Sequence, residues 1–383
     1  MKAWFVLSIL LCACCACGVR SPTPSGAADA ALGPPDKPVE RRTASSGEWD
    51  STAKMIAGLK TPSIASMTPE QKAEWKRHCW ATDSEWKLLK SRYLSKIDAW
   101  ASQNLQDAAK DGVAFYPFGG PDAATLLAVY PSAQEYIMIG LEPAGKLPDS
   151  IDGYTPEYWS GVRQSLRSAV ALGFFKTEEM EEDFSGEGVG GITPVLLLYI
   201  ARSGFTVEDV VAVRVSPRGG LVAAPDAPPV KREVRGVTIF FSDESGRQRK
   251  LTYLGLNLSD TVKKRPEAMR FLEQLHAVKT LLKSASYLMH KSYFSTIRRV
   301  ILAQSDVVVE DDSGIPFRFF HENEWDVRLF GSYSEPIKLF SDWQQDDLKD
   351  AYALPGIQPL GFGFGYRFKP DTSNLLLARR KSH

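Results

Sequence analysis

The clearest pattern of apolar and polar positions lies between residues 113 and 145, and it predicts two buried strands joined by a short helix. Val113–Phe118 is an apolar, aromatic-rich run that suits a strand. Residues 123–129 are good helix formers, and Asp122 stands where it can cap their N-terminus. Glu135–Leu141 is nearly continuously apolar, as expected of a strand buried on both faces. This succession predicts a parallel βαβ unit.

Similar patterns predict further elements around that unit. A capping box at Thr68–Gln71 begins a helical cover over residues 68–110. Pairs of strand-like runs predict antiparallel hairpins at 236–256 and 360–378. A β-branched run at 306–310 follows a helical pattern, which repeats the layout of the first unit. We therefore predict an α/β fold with a central mixed, partly parallel sheet flanked by helices, of which a Rossmann-like or methyltransferase-like core is one form.

The N-terminus has the pattern of a secretory signal. Residues 1–11 contain one lysine and then an apolar run that is too short to span a bilayer stably. Cys14 has leucine three positions before it and alanine directly before it, which resembles the lipobox of bacterial lipoproteins. Cys17 is a poorer match, and an ordinary signal peptide cut after an alanine is the other interpretation. A multiply acylated cysteine, carrying palmitate-type chains, would anchor the protein stably to a membrane.

The predicted organisation has three parts. Residues 1–17 form the lipoprotein signal peptide. Residues 18–60 form a disordered tether, because the stretch from Arg20 to Glu48 is rich in Pro, Ala, Gly and Ser. Residues 61–383 form one α/β domain, with its core at 111–383. The predicted location is the bacterial cell envelope, membrane-anchored and most naturally at the periplasmic face or surface of the outer membrane.

The charge balance and the cysteine content limit the possible partners and covalent links of this protein. The chain has 46 basic and 46 acidic residues, so its formal net charge is zero, which argues against a nucleic-acid partner. Four of its five cysteines lie between positions 12 and 17, and only Cys79 belongs to the body of the protein. No disulfide framework is therefore expected.

A candidate ligand site lies at the carboxyl ends of the two predicted strands. Gly119 and Gly120 form a turn after the first strand, with Asp122 beside them, and Glu142 stands 22 residues beyond Gly120. In dinucleotide-binding folds a glycine turn approaches the ligand, and an acidic residue about 20 positions later binds the ribose hydroxyls. This pattern resembles a degenerate S-adenosylmethionine-dependent methyltransferase core, although the full G-x-G-x-x-G is absent. The alternative is a tight turn, with Glu142 forming a local cap or pair.

Asp311 and Asp312 complete the list of candidate ligand-binding residues. They follow the predicted strand 306–310 and precede Ser313-Gly314. If the loop is extended, the two carboxylates point to opposite faces and do not form an acid/base pair. Capping of an Asx turn is the structural alternative.

Three blocks of the chain resemble an uncharacterised family of bacterial secreted proteins and lipoproteins. The blocks are Tyr116–Asp122, Gly140–Gly145 and Asp311–Pro316, and the similarity extends from about residue 110 to the C-terminus. The resemblance implies no activity, cofactor or ligand.

Enzymatic signatures are missing or incomplete. His321-Glu-Asn-Glu324 lacks the second histidine of a zincin helix, and the five histidines do not suggest a metal site. There is no G-x-S-x-G, and no C-x-x-C occurs in the body. We therefore expect a tethered envelope lipoprotein that binds a ligand or a partner. The alternative is an envelope enzyme, methyltransferase-like or hydrolytic, whose cleft is formed by the loops at 119–122, 142 and 311–314.

Overall fold

Ten stretches of the described chain are strands of one mixed sheet. The structure is a computed structural model that describes residues 36–42, 46–106, 112–172, 190–225 and 233–381. The strands are β1 (Val113–Pro117), β2 (Glu135–Gly140), β3 (Thr206–Val215), β4 (Leu221–Ala223), β5 (Arg235–Ser242), β6 (Gln248–Gly255), β7 (Val278–Leu282), β8 (Ser305–Glu310), β9 (Trp325–Gly331) and β10 (Asn374–Arg380).

The centre of the sheet is parallel. The strand order is β4-β3-β5-β6-β2-β1-β7-β8-β10-β9, and the five strands from β6 to β8 pair in parallel. Numbered by their order in the chain, these five run third, second, first, fourth, fifth, which is the order of a doubly wound sheet. The predicted α/β fold with a mixed, partly parallel sheet is confirmed, and the predicted βαβ unit is its centre.

The two edges of the sheet are antiparallel. The predicted hairpin at 236–256 is confirmed, because β5 and β6 pair antiparallel. The predicted hairpin at 360–378 is wrong, because β10 pairs instead with β8 and β9. The glycines explain the difference: Gly365 has a left-handed φ of 68°, and the chain turns back there to form an isolated bridge between Phe364 and Arg367.

Helices cover both faces of the sheet. The described α-helices are α1 (Ser46–Ile56), α2 (Pro69–Leu89), α3 (Ser95–Asn104), α4 (Ala123–Val129), α5 (Pro156–Leu172), α6 (Thr193–Arg202), α7 (Pro266–Glu273), α8 (Ser295–Gln304) and α9 (Asp346–Tyr352). Helices α1 to α6 pack in one hydrophobic core, and α7 to α9 pack in a second core on the other face. Alternate strand residues enter opposite cores, as Tyr116 and Phe115 do.

The predicted helical cover begins as expected. Thr68 and Gln71 form the capping box, with Pro69 at the first helical position. A single π-helical turn, Lys90–Leu94, joins α2 to α3. Trp80 on α2 does not enter the core, because it is 77% exposed.

The predicted tether is too long. Residues 46–60 belong to the folded unit, which begins at Asp36. Ala53 and Ile56 on α1 are fully buried, and Arg42 forms an ion pair of 2.7 Å with Asp209 on β3. The abundance of small residues in this segment predicted disorder, but its few apolar residues, such as Ile56, pack into the core. The predicted signal peptide, which includes Cys14 and Cys17, lies outside the described residues, as do residues 18–35.

Within the described ranges, none of the helices combines the length and the apolar character needed to cross a bilayer.

Candidate functional site

A cleft of about 190 Å³ opens at the carboxyl ends of four adjacent parallel strands. Its walls are the segments that follow these strands: Phe118–Gly120 after β1, Leu141–Glu142 after β2, Leu256–Leu258 after β6 and Lys283–Ser286 after β7. Strands β1 and β7 flank the switch point, where the strand order reverses. Doubly wound sheets bind their ligands outside the carboxyl ends of strands at this point.

The glycine turn brings the ends of β1 and β2 close together. Phe118 and Gly120 have left-handed φ values of 64° and 48°. The N–H of Gly119 donates to the carbonyl of Ile139 on β2 at 3.1 Å. A Cβ on Gly140 would lie 3.1 Å from the Cα of Gly120 and 2.6 Å from Oε2 of Glu142. The absence of a side chain at Gly140 therefore leaves the space that the Glu142 carboxylate occupies and lets β2 approach the glycine turn closely.

Glu142 lies on the cleft wall with few partners of its own. It is 5% exposed, and the Tyr253 hydroxyl is 2.8 Å from its carbonyl oxygen and 3.3 Å from Oε2. No cation among the described residues pairs with this carboxylate. A carboxylate accepts several hydrogen bonds, so Glu142 has acceptor capacity left for a ligand.

Asp122 behaves differently, because the fold uses its oxygens. As predicted, it caps α4, accepting from the N–H of Thr125 at 3.3 Å and from its hydroxyl at 2.8 Å. Lys283 donates to Asp122 Oδ2 at 2.5 Å, and the Tyr116 hydroxyl donates to the same oxygen at 3.3 Å. Burial, with the nearby Asp122 charge, raises the pKa of Tyr116 well above its ordinary value. Asp122 and Lys283 thus form a neutralised pair at the floor of the cleft.

The wall after β7 has an unusual backbone. Ser284, Ser286 and Tyr287 have left-handed φ values of 54°, 52° and 50°. Such conformations cost energy for residues other than glycine, and they persist where the surroundings fix them. The Ser284 hydroxyl is buried without a described partner, although the residue lines the cleft. The sequence did not predict this wall, because the pattern of residues 281–290 fits either a helix or a strand. The one signal for it is the end of an apolar run at Leu282, where the strand ends and the wall begins.

Asp311 lies behind this wall and holds it. It accepts from the N–H of Ser284 at 3.1 Å, from the N–H of Tyr366 at 3.2 Å and from the Ser313 hydroxyl at 2.7 Å. The Ser313 hydroxyl also accepts from the N–H of Ala285 at 2.7 Å. The prediction that the 311–314 loop forms part of the cleft is therefore wrong, because this loop supports the cleft wall instead.

Asp312 is also directed into the protein. Its carboxylate accepts from the Tyr287 hydroxyl and, at 2.9 Å, from the Asn374 amide. Glu310, Asp311 and Asp312 are all buried, and burial is the main reason that the pKa of each is raised. The charge of Asp312 adds to the effect on the pKa of Asp311.

The structure gives no support for metal or thiol chemistry in the described part of the chain. No group of three or more His, Cys, Asp or Glu side chains there is arranged to hold a metal ion. Cys79 is half-buried, and burial raises the pKa of its thiol to about 11. A thiol with such a pKa is a poor nucleophile at neutral pH.

No protein-family model matches the chain, and no curated protein matches it either. The function has to be inferred from the cleft itself.

Proposed function

We propose that this protein is a lipid-anchored protein of the bacterial envelope that binds a small, neutral ligand with two adjacent hydroxyl groups. The observation that carries the proposal is Glu142: a carboxylate with spare acceptors, at the carboxyl end of the second parallel strand, facing the cleft. Two neighbouring O–H groups can donate to the two oxygens of one carboxylate. In doubly wound folds an acidic residue at this place binds ribose hydroxyls.

The size and lining of the cleft support a sugar ring with a flat or apolar substituent. Its volume of about 190 Å³ exceeds that of an engineered cavity of about 150 Å³ that holds benzene. The cleft has an apolar side, formed by Phe118, Leu256, Leu288 and Phe294, and Glu142 provides a polar contact. Pockets that combine apolar walls with a few placed polar groups are typical ligand sites.

The charge of the cleft favours a neutral ligand over a phosphorylated one. Lys283 is the one cationic side chain among the described residues that line the cleft, and its charge is neutralised by Asp122. Pro121 removes one of the amides that a glycine turn would direct at a phosphate. A nucleoside and a free sugar share the required diol, and binding measurements distinguish them.

An enzyme with a nucleoside-type cosubstrate is the second candidate, and the sheet supports it. The seven strands from β6 to β9 run third, second, first, fourth, fifth, seventh, sixth in their chain order, with β10 antiparallel to its neighbours. This arrangement is similar to that of the S-adenosylmethionine-dependent methyltransferases that the glycine turn and Glu142 resemble. The predicted envelope location argues against methyl transfer, because such cosubstrates are scarce outside the cytoplasm.

Calorimetric titration with adenosine, S-adenosylhomocysteine and D-ribose tests the proposal. We expect at least one of these to bind, and Glu142→Gln to weaken its binding by about tenfold, since a charged hydrogen bond contributes about 1.5–3 kcal/mol. Glu135→Gln is the matched control, because Glu135 lies at the opposite end of β2 and pairs with Lys250. Tighter binding of S-adenosylhomocysteine than of adenosine would favour the enzyme. Failure of all three to bind would contradict the diol site.

The anchor needs a separate test. We expect Cys14→Ser to abolish incorporation of labelled palmitate into the full-length chain, and Cys17→Ser to leave it intact. Incorporation that survives Cys14→Ser but not Cys17→Ser would move the anchor to Cys17. Incorporation of palmitate into a chain that carries both substitutions would contradict a lipid anchor at either cysteine.

A further inference from the structure

The outward face of α2 and the turn after it is basic and carries an exposed tryptophan. Trp80 is 77% exposed and Leu88 is 37% exposed. Lys76, Trp80 and Lys87 are spaced by four and seven residues, so they lie on one side of the helix. A single exposed apolar side chain is common on protein surfaces, so the feature that distinguishes Trp80 is the set of exposed basic residues around it.

Most of the positive charge of this face is not cancelled locally. The exposed basic residues of the segment 69–104 are Lys76, Arg77, Lys87, Lys90, Arg92 and Lys96. Its exposed acidic residues are Glu70 and Asp98. Arg77 pairs with Glu74, and Lys87 pairs with Asp83. No ion pair or hydrogen bond with another described residue engages the side chains of Lys76, Lys90, Arg92 or Lys96.

The remaining acidic residues of α2 form ion pairs, mostly with neighbouring helices. Glu74 pairs with Arg163 at 3.2 Å and Glu85 pairs with Arg167 at 3.5 Å, both on α5. Asp83 pairs with Arg202 at the end of α6 at 3.0 Å, and it also pairs with Lys87. These ion pairs fix the helix to its neighbours, and they leave an outer surface that is mainly cationic.

We propose that this face, defined by Lys76, Trp80, Leu88, Lys90 and Arg92, docks on an anionic lipid surface. Tryptophan prefers the interface between lipid headgroups and acyl chains, and lysine side chains extend along apolar surface to keep their charge in water. Basic residues near an anionic membrane each strengthen the attraction to it. A single tryptophan and a partly exposed leucine suit shallow insertion at an interface. The formal net charge of zero argues against nucleic acid as the occupant.

This docking is independent of the ligand in the cleft and of acylation, and vesicles test it. The full-length chain carrying Cys14→Ser and Cys17→Ser, which removes both proposed acylation sites, is mixed with an excess of phosphatidylglycerol vesicles whose acyl chains are brominated near the headgroup, and tryptophan fluorescence is recorded. We expect quenching that disappears in Trp80→Phe, in about 0.5 M salt and on phosphatidylcholine vesicles, because screening weakens exposed charges.

A matched pair of triple variants separates location from net charge. Lys76→Glu/Lys90→Glu/Arg92→Glu reverses the face, and Lys264→Glu/Lys338→Glu/Lys369→Glu makes the same change at exposed lysines elsewhere. We expect the first to weaken vesicle binding by at least about tenfold and the second to weaken it far less. Equal losses, or quenching that does not depend on Trp80, would overturn the proposal. Retention of the chain on an anionic polymer but not on phosphatidylglycerol would show that the occupant is not a membrane.

Discussion

The acidic residues after β2 and after β8 occupy similar places in the sheet but do different work. Glu142 faces the cleft and has one hydroxyl partner, whereas Asp311 and Asp312 are surrounded by donors from the protein. The first arrangement leaves acceptors for a ligand, and the second uses them to hold the strained wall beside the cleft. An acidic residue at a strand end therefore marks the functional edge of a doubly wound sheet, but its partners decide its role.

The largest difference should appear when each carboxylate is removed. Asp311→Ala leaves the N–H groups of Ser284 and Tyr366 without their acceptor, and each unsatisfied buried group costs about 1–3 kcal/mol. We expect the free energy of unfolding to fall by about 2–4 kcal/mol, measured by urea denaturation. Glu142→Ala should change it by less than about 1 kcal/mol. Equal losses for the two variants would remove the distinction between the sites.

The pH dependence of stability should separate the two regions further. Because burial raises the folded-state pKa of Asp311 and Asp312 above their ordinary values, their contribution to stability falls as the pH rises from about 4 through the raised pKa. Asp312→Asn keeps both side-chain partners, since the Tyr287 hydroxyl can accept instead of donate.

We expect the free energy of unfolding of Asp312→Asn, measured by urea denaturation, to rise relative to that of the natural chain as the pH rises above about 4, the ordinary pKa of an aspartate. Burial lowers the pKa values of His78 and His290 to about 4, so these histidines also make stability depend on pH. Their contribution is the same in both proteins, and it is removed when one curve of unfolding free energy against pH is subtracted from the other. If the free energies of unfolding of the two proteins depend on pH in the same way, the fold does not disfavour the ionised form of Asp312.

A change in the space around Glu142 should act on binding. In Gly140→Ala the new Cβ would lie 2.6 Å from Glu142 Oε2 and 2.5 Å from the Tyr253 hydroxyl, so the carboxylate must move. We expect about a tenfold loss of affinity for a diol ligand, or about 1.4 kcal/mol. Gly361→Ala is the control, because its Cβ would have no neighbour within 4 Å. Unchanged affinity in Gly140→Ala would mean that the position of Glu142 does not matter.

The smallest effect should come from the hydroxyl that orients Glu142. Tyr253→Phe removes that hydrogen bond, and we expect affinity to fall about threefold to fivefold, in keeping with about 1 kcal/mol for one hydrogen bond. Tyr136→Phe also removes a buried hydroxyl, which donates to the carbonyl of Tyr130 at 2.8 Å, away from the cleft. Similar losses of affinity in both variants would point to a general loss of rigidity.

The sequence predicted the centre of the fold well because local signals there are strong. The glycine turn, the Asp122 cap and two apolar runs fix the unit from β1 to β2, and the 22-residue spacing indicates Glu142. The strand partner of β10 was not predictable, because pairing between distant strands leaves no local pattern.

The roles of individual side chains in the cleft were less accessible. Asp311 contacts a loop and not a ligand because Ser284 adopts a left-handed conformation. The conformational preference of serine does not predict this conformation. The pairing of Lys283 with Asp122 joins residues 161 positions apart, so it becomes visible only once the sheet has formed.

A comparison of two ligands in two proteins tests the central claim most directly. Binding of adenosine and of 2′,3′-dideoxyadenosine is measured calorimetrically for the natural chain and for Glu142→Gln. If Glu142 accepts the two hydroxyl groups, adenosine binds at least about tenfold more tightly than the dideoxy compound to the natural chain, and the variant loses most of that preference. If both nucleosides bind the natural chain equally, or the preference survives in Glu142→Gln, the carboxylate does not recognise the diol and the proposed site is wrong.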